Sequence, residues 1–265
     1  MEFVTLNSGG RMPMVGFGTW QLRGWEGERA VLDALETGYR LLDTARMYQN
    51  EEMVGSALRQ SGLPRREVFL TTKLQQSDGS YEKAREGIAR SLEALKTDYV
   101  DLLLVHEPYA EAGEMYRACL EAQKAGLAKA VGISNFSREE YLSFLKACPS
   151  PPAVNQMESH VYHTNFALKQ TLDACGTVMQ GWAPFAEGRR PIFSEPVLVF
   201  IGRNHGKSAA QTALRYLVQR GIPVIPKSAD PGRMAENLDI FDFTLTEEEL
   251  AKIAALDGEA SLFGW

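Results

Sequence analysis

Residues 68–106 read VFLTTKLQQSDGSYEKAREGIARSLEALKTDYVDLLLVH. An apolar, β-rich run at 68–73 is followed by a stretch at 81–96 with apolar residues at three- and four-residue spacing, then by a second β-rich run at 100–106. That is a strand, a helix and a strand, the repeating unit of a parallel sheet. The same alternation extends both ways. Further strands are expected at 15–18, 40–43, 128–134, 153–158, 178–183 and 222–226, with helices at 28–36, 113–125, 139–148, 166–174 and 209–219. Ser137-Arg-Glu-Glu140 and Thr246-Glu-Glu-Glu249 read as capping boxes, and Gly38, Gly126 and Gly221 stand where helices should stop. Eight such units could form an open doubly wound sheet or a closed barrel. The open dinucleotide-binding sheet would carry G-x-G-x-x-G after its first strand, whereas Gly16-Phe-Gly18 continues as Thr-Trp-Gln. The expected fold class is therefore α/β, a (β/α)8 TIM barrel. Phe3-Val-Thr-Leu6, Asn7-Ser-Gly-Gly10 and residues 12–15 read as an N-terminal β-hairpin placed to plug the barrel floor, and 246–256 as an additional C-terminal helix.

At 265 residues and 45% hydrophobic, the chain has apolar material for one large core, and no Pro/Gly/Ser-rich linker or charge block divides it. One domain over 1–265 is expected. A net charge of −6 argues against a general nucleic-acid binder, which needs an excess of Lys and Arg on one face. No apolar stretch approaches membrane-spanning length, and the N-terminus lacks a basic segment followed by an apolar run, so a cytoplasmic protein is expected. Cys119, Cys148 and Cys175 are odd in number and widely spaced, which suits free thiols. No apolar helix face marks a partner surface, and a monomer is expected.

Barrel active sites are assembled where the strands end. Arg40-Leu-Leu-Asp43 ends in a carboxylate, Phe69-Leu-Thr-Thr-Lys73 in an amine and Val100-Asp-Leu-Leu-Leu-Val-His106 in an imidazole, and Tyr48 follows Asp43 by five residues. Singly, each has a structural reading: a turn former, a surface amine, a packing ring. Together at one barrel mouth they make a proton-donating phenol. A cationic Lys73 beside Tyr48 favours phenolate and lowers its pKa, Asp43 keeps the lysine charged, and His106 orients or polarises a carbonyl. His106, His160, His163 and His205 lack a matching ligand cluster, so no metal is expected.

Three longer motifs, Asp43-Thr-Ala-Arg-Met-Tyr48-Gln-Asn-Glu51, Gly132-Ile-Ser-Asn-Phe136 and Ile225-Pro-Lys-Ser228, resemble the signatures of the aldo-keto reductases in order and position. The likeness covers nearly the whole chain, whose short loops and compact length resemble the prokaryotic branch that includes diketogluconate and methylglyoxal reductases. It implies a (β/α)8 barrel with a leading hairpin, NADPH as cofactor, and a small-molecule carbonyl substrate. It also implies a catalytic tetrad of Asp43, Tyr48, Lys73 and His106, with Tyr48 protonating the carbonyl oxygen. Cofactor contacts are implied at Gly18 and Thr19, at Ser134, Asn135 and Gln156 for the nicotinamide carboxamide, and at Trp182 for its ring. Lys227, Ser228 and Arg233, followed by Glu236 and Asn237, match the 2′-phosphate and adenine site.

The chain departs from the pattern around the substrate. After His106 it reads Glu107-Pro108-Tyr109 where the family often has Trp-Pro, and the segment after the last helix is brief. Trp20, Tyr109 and Trp265 are the expected pocket aromatics, and a long specificity loop after the last helix is not expected. Two other readings stay open: a barrel aldolase or isomerase with a Schiff base on Lys73, and a regulatory subunit that senses the cofactor without turnover.

Overall fold

The computed structural model describes residues 1–148 and 150–264, so the expected pocket aromatic Trp265 lies outside the described residues. The chain begins with a hairpin, β1 (Phe3–Thr5) and β2 (Arg11–Pro13), paired antiparallel in the register Val4 to Met12. Then come β3 (Phe17–Gly18), α1 (Gly24–Thr37), β4 (Leu41–Asp43), α2 (Glu51–Gln60), β5 (Phe69–Leu74), α3 (Tyr81–Leu95), β6 (Val100–Val105) and α4 (Ala112–Lys124). The second half runs β7 (Ala128–Ser134), α5 (Arg138–Ala147), β8 (Val154–Glu158), α6 (Phe166–Ala174), β9 (Val178–Trp182), α7 (Pro196–Asn204), α8 (Ala209–Gln219), α9 (Pro231–Leu238) and α10 (Glu247–Ala254). The seven strands β3 to β9 pair in parallel in strict chain order, which is the order of a barrel.

The eighth strand, expected at 222–226, is reduced to single bridges from Val224 to Val15 and to Gly181. The reason is covalent. Pro223 and Pro226 carry no N–H, so a continuous ladder cannot form. Closure is made instead by Val224 N donating to Met14 O (2.9 Å), Gly16 N to Val224 O (2.8 Å), Gly181 N to Pro223 O (2.7 Å) and Gly18 N to Pro226 O (3.2 Å). The barrel is thus shut by Val224 through both its N–H and its carbonyl, with the carbonyls of Pro223 and Pro226 on either side.

Side chains alternate along each strand, so residues two apart share a face. Leu41, Leu102, Leu104, Ala130, Val154 and Ile225 form a buried apolar cluster with Met12 of the hairpin, which is how β2 plugs the floor. The other face of the strands, with Leu42, Leu70, Leu103, Val105, Val131, Ile133 and Met179, packs on the helices. Two residues past Leu41, Leu104 and Val154 of this layer stand Asp43, His106 and Gln156, and Lys73 and Ser134 lie near the ends of β5 and β7. The same alternation that buries the floor therefore places a polar ring at the mouth.

The capping boxes at Ser137 and Thr246 form as expected, and Gly38, Gly126 and Gly221 have φ of 116°, 80° and 77°, a left-handed conformation suited to glycine. Helices α2, α7 and α9 come in addition to those read from spacing; α7 and α9 each start on a proline that pre-sets the first turn. No helix among the described residues is long and apolar enough to cross a membrane.

Gly132 marks the tightest strand contact within a motif. A Cβ there would lie 2.5 Å from Val154 O and 2.7 Å from Leu104 Cδ2. Gly132→Ala should therefore cost about 1–3 kcal/mol of stability by overpacking. Urea unfolding measures this, and an unchanged midpoint would show that the strands can part without cost.

Candidate active site

Three neighbouring strands bring the charged residues together. Asp43 ends β4, Lys73 is the fifth residue of β5, and His106 follows β6 directly, with its N–H on Leu74 O at 3.1 Å. Tyr48 closes the short 310 turn Arg46–Tyr48 that follows β4. Lys73 is wholly buried, with Asp43 1% exposed. Its ammonium forms an ion pair with Asp43 Oδ1 and donates to Thr44 O (3.0 Å) and to the Tyr48 hydroxyl (3.2 Å). An ammonium has three donors, and all three are used. Asp43 Oδ2 accepts from Gln156 Nε2 at 2.7 Å, while the Asp43 carbonyl accepts from the N–H and hydroxyl of Thr19 at 3.1 and 2.9 Å. The His106 and Tyr48 rings meet edge-on with centroids 5.5 Å apart.

The charge states follow from these contacts. Burial by itself favours a neutral amine at Lys73, but Asp43, then Tyr48, outweigh it and hold the group above the ordinary lysine value. Burial dominates at Tyr48. It pushes the phenol above its ordinary value despite the nearby Lys73 charge, which corrects the expectation of a lowered pKa. Burial, and secondarily Lys73, hold His106 well below the usual histidine range, as a neutral imidazole. The site at neutral pH is thus a protonated phenol, a cation beneath it and an uncharged ring beside it. A Schiff base on Lys73 finds no support here, since the amine is charged and fully engaged.

A cleft of about 600 Å³ opens above Tyr48. Of the expected residues, Gly18, Thr19, Trp20, Asp43, Tyr48, His106, Ser134, Asn135, Gln156, Trp182 and Lys227 line it. Lys73 lies underneath. Tyr109 does not line the cleft; its hydroxyl faces the Gln76 backbone, because the chain turns away directly after His106 with Tyr109 N on Glu107 O. Ser228, Arg233, Glu236 and Asn237 lie beyond Lys227, on the approach to α9 and along it. Lys227 and Arg233 are exposed, and neither forms an ion pair among the described residues. Two exposed cations that flank Ser228 in the sequence, with no ion pair among the described residues, suit a phosphate dianion.

The ring side of the cleft is equally ordered. Asn135 has a φ of 65°, and its Oδ1 accepts from the Trp182 indole N–H at 2.8 Å. Ser134 Oγ donates to Gln156 O (3.0 Å), and Gln156 Nε2 is shared between Asp43 and Gln180 Oε1 (2.8 Å). This end of the cleft therefore presents an indole beside buried hydroxyl and amide groups, with Lys227 also on the lining.

Other residues at the cleft escaped sequence reasoning. Met47 precedes Tyr48, Phe185, Glu187 and Phe193 come from the segment after β9, and Phe263 lies beyond α10. The segment after β9 holds Ala183, Ala186 and Glu187 at φ of 49°, 55° and 46°, a strained conformation for side-chain-bearing residues that no spacing rule reveals. Asn50 of the first motif gains a role: its Nδ2 donates to Thr19 O (2.8 Å), and its Oδ1 accepts from Thr44 Oγ1 (2.7 Å), tying two mouth loops together. Its place in a motif was the available signal.

Comparison with known proteins agrees with this geometry. The model of the Aldo/keto reductase family matches residues 14–258. The chain is 37% identical over 260 residues to methylglyoxal reductase DkgA of Escherichia coli (strain K12), covering 96% of this chain and 93% of that protein. It superposes with a TM-score of 0.96 on an aldo-keto reductase from a Medee basin deep-sea metagenome library, at 38% identity and covering 98% and 97% of the two chains. A Bombyx mori aldo-keto reductase, solved in complex with NADP, superposes with a TM-score of 0.92 at 31% identity, covering 98% of this chain and 94% of that one. With a barrel closed in strand order, a buried Asp–Lys pair under a tyrosine, and these relatives along its length, the chain belongs to the aldo/keto reductase family.

Proposed function

We propose that the protein reduces small aldehydes, α-dicarbonyls or keto-sugars to alcohols with NADPH, Tyr48 giving the proton to the carbonyl oxygen. The observation that carries this reading is the Lys73 ammonium set between Asp43 and the Tyr48 hydroxyl beneath an open cleft. NADPH, when bound, supplies the hydride that reaches the carbonyl carbon. Tyr48 releases its proton as negative charge gathers on the substrate oxygen, and the phenolate left behind is stabilised by Lys73 at 3.2 Å. That attraction is strongest when the charge has moved onto Tyr48, so it favours the transition state over the bound substrate. Neutral His106 donates one hydrogen bond to the carbonyl without competing as an acid. Trp182, Ser134, Asn135 and Gln156 hold the nicotinamide end, with Gly18 and Thr19 along the cleft wall. Lys227, Ser228 and Arg233 take the 2′-phosphate, with Glu236 and Asn237 on the adenine side, and Trp20 lines the substrate pocket. The likeness to a methylglyoxal reductase supports the small-carbonyl class.

The test is NADPH oxidation, followed by absorbance, over a panel of small aldehydes, α-dicarbonyls and keto-sugars. Tyr48→Phe should lower reduction by about 10²–10⁴-fold while leaving NADPH affinity within about twofold. Equal loss in both would contradict the assigned role. Arg233→Met should weaken NADPH binding by about tenfold to a hundredfold and leave NADH binding unchanged, because it removes a charge-assisted contact to the phosphate alone.

The pH profile follows from the shifts. Tyr48 acts as an acid with its pKa raised, so its protonated form persists as pH rises toward the ordinary phenol value; His106, with its pKa lowered, gains no proton in the mildly acidic range. Turnover of reduction should be flat from roughly pH 6 to 9 and fall only above that range. A transition centred near pH 7 in stopped-flow rates would assign proton transfer to another group.

A further inference from the structure

Glu158, the last residue of β8, is 1% exposed, and the reaction proposed above does not use it. A carboxylate withdrawn from water must be given donors. Oε1 accepts from His160 Nε2 (2.9 Å) and from the backbone N–H of Leu262 (2.9 Å), and Oε2 accepts from Ser261 Oγ (2.6 Å). Burial alone would raise this carboxyl, but the donors prevail and hold it below the usual range. Two of the three donors come from a segment about a hundred residues further along the chain.

That segment, 258–264, has neither helix nor strand to hold it. It enters with Gly258 N on Tyr162 O at 3.0 Å, and Glu158 grips its middle. Ser261 Oγ in turn accepts from the N–H groups of Phe263 (3.1 Å) and Gly264 (2.9 Å), a local turn that throws the Phe263 ring into the cleft. The ring meets Trp182 edge-on, with centroids 5.0 Å apart, and the Arg189 guanidinium covers it at 4.1 Å while also donating to Leu262 O. Phe263 is thus an apolar wall of the cleft beside Trp182, on a segment that the Glu158 carboxylate of β8 binds at Ser261 and Leu262.

We infer that Glu158 is a positioning residue: it seats segment 258–264 on the barrel mouth and so sets Phe263 as a wall of the substrate pocket, favouring carbonyl compounds with an apolar ring over small dicarbonyls. The inference rests on the carbonyl-reductase reading above. With the wall seated, an aromatic aldehyde gains contact that a three-carbon dicarbonyl cannot reach.

The experiment combines amide hydrogen exchange of the 258–264 peptide with kcat/KM for benzaldehyde and for methylglyoxal, in the full chain, Glu158→Gln, Ser261→Ala and Phe263→Ala. Ser261→Ala lies on the segment itself and leaves the barrel core intact. In Glu158→Gln and Ser261→Ala, exchange protection should fall in 258–264 and stay unchanged in peptides from β6 and β7. The KM for benzaldehyde should rise about tenfold, with methylglyoxal turnover within about twofold. Phe263→Ala should shift the substrate ratio in the same direction, and adding Glu158→Gln to it should add little, since both act through one contact. Unchanged protection in Glu158→Gln, or an equal loss on both substrates, would overturn the inference. Should the wild-type chain reduce neither aldehyde, the reductase reading fails, while the exchange result still decides whether Glu158 seats the segment.

Discussion

An ammonium withdrawn wholly from water must have its solvation replaced by the protein, and Lys73 obtains this from Asp43, the Thr44 carbonyl and the Tyr48 hydroxyl. Each of these comes from a different place: the end of β4, the residue after it, and the turn beyond. Asp43 in turn is held by Gln156 from β8, and its carbonyl by Thr19 from the loop after β3. Removing either ion would strand the other in a dry interior, at a cost of about 3–5 kcal/mol. Strand pairing, loop placement and charge state are therefore coupled through one buried pair.

The same pair separates two roles that a lysine in a barrel could take. With its three donors engaged and Asp43 beside it, the Lys73 amine stays an ammonium and serves as a field rather than a nucleophile. Its target is Tyr48. Burial raises the phenol and the lysine charge opposes that rise without reversing it, so the group rests protonated while the cation beside it stabilises the phenolate left when its proton leaves. His106, kept neutral by burial, completes a site with one mobile proton and one fixed cation.

Much of this was legible in order along the chain. The βα alternation, the hairpin, the capping boxes at Ser137 and Thr246 and the glycines at helix ends depend on neighbours within a few residues, and their spacing carries that information. Asp43, Lys73 and His106 were legible because each ends an apolar run, where the two-residue alternation of a strand turns a core face into a mouth. The eighth strand was less so: Pro223 and Pro226 in an apolar run can contribute only their carbonyls, so closure falls to isolated bridges at Val224. Tyr109 was misplaced because the direction in which a chain leaves a strand end is decided by what it packs against.

The sequence by itself determined the barrel, the polar ring at its mouth and the family, since periodicity and motif order are properties of local spacing. Only the tertiary structure decided the sign of the Tyr48 shift, the engagement of all three Lys73 donors, and the seating of Phe263 by Glu158 across a hundred residues. Burial and long-range hydrogen bonding depend on which distant atoms share a small dry volume, and no spacing along the chain encodes that.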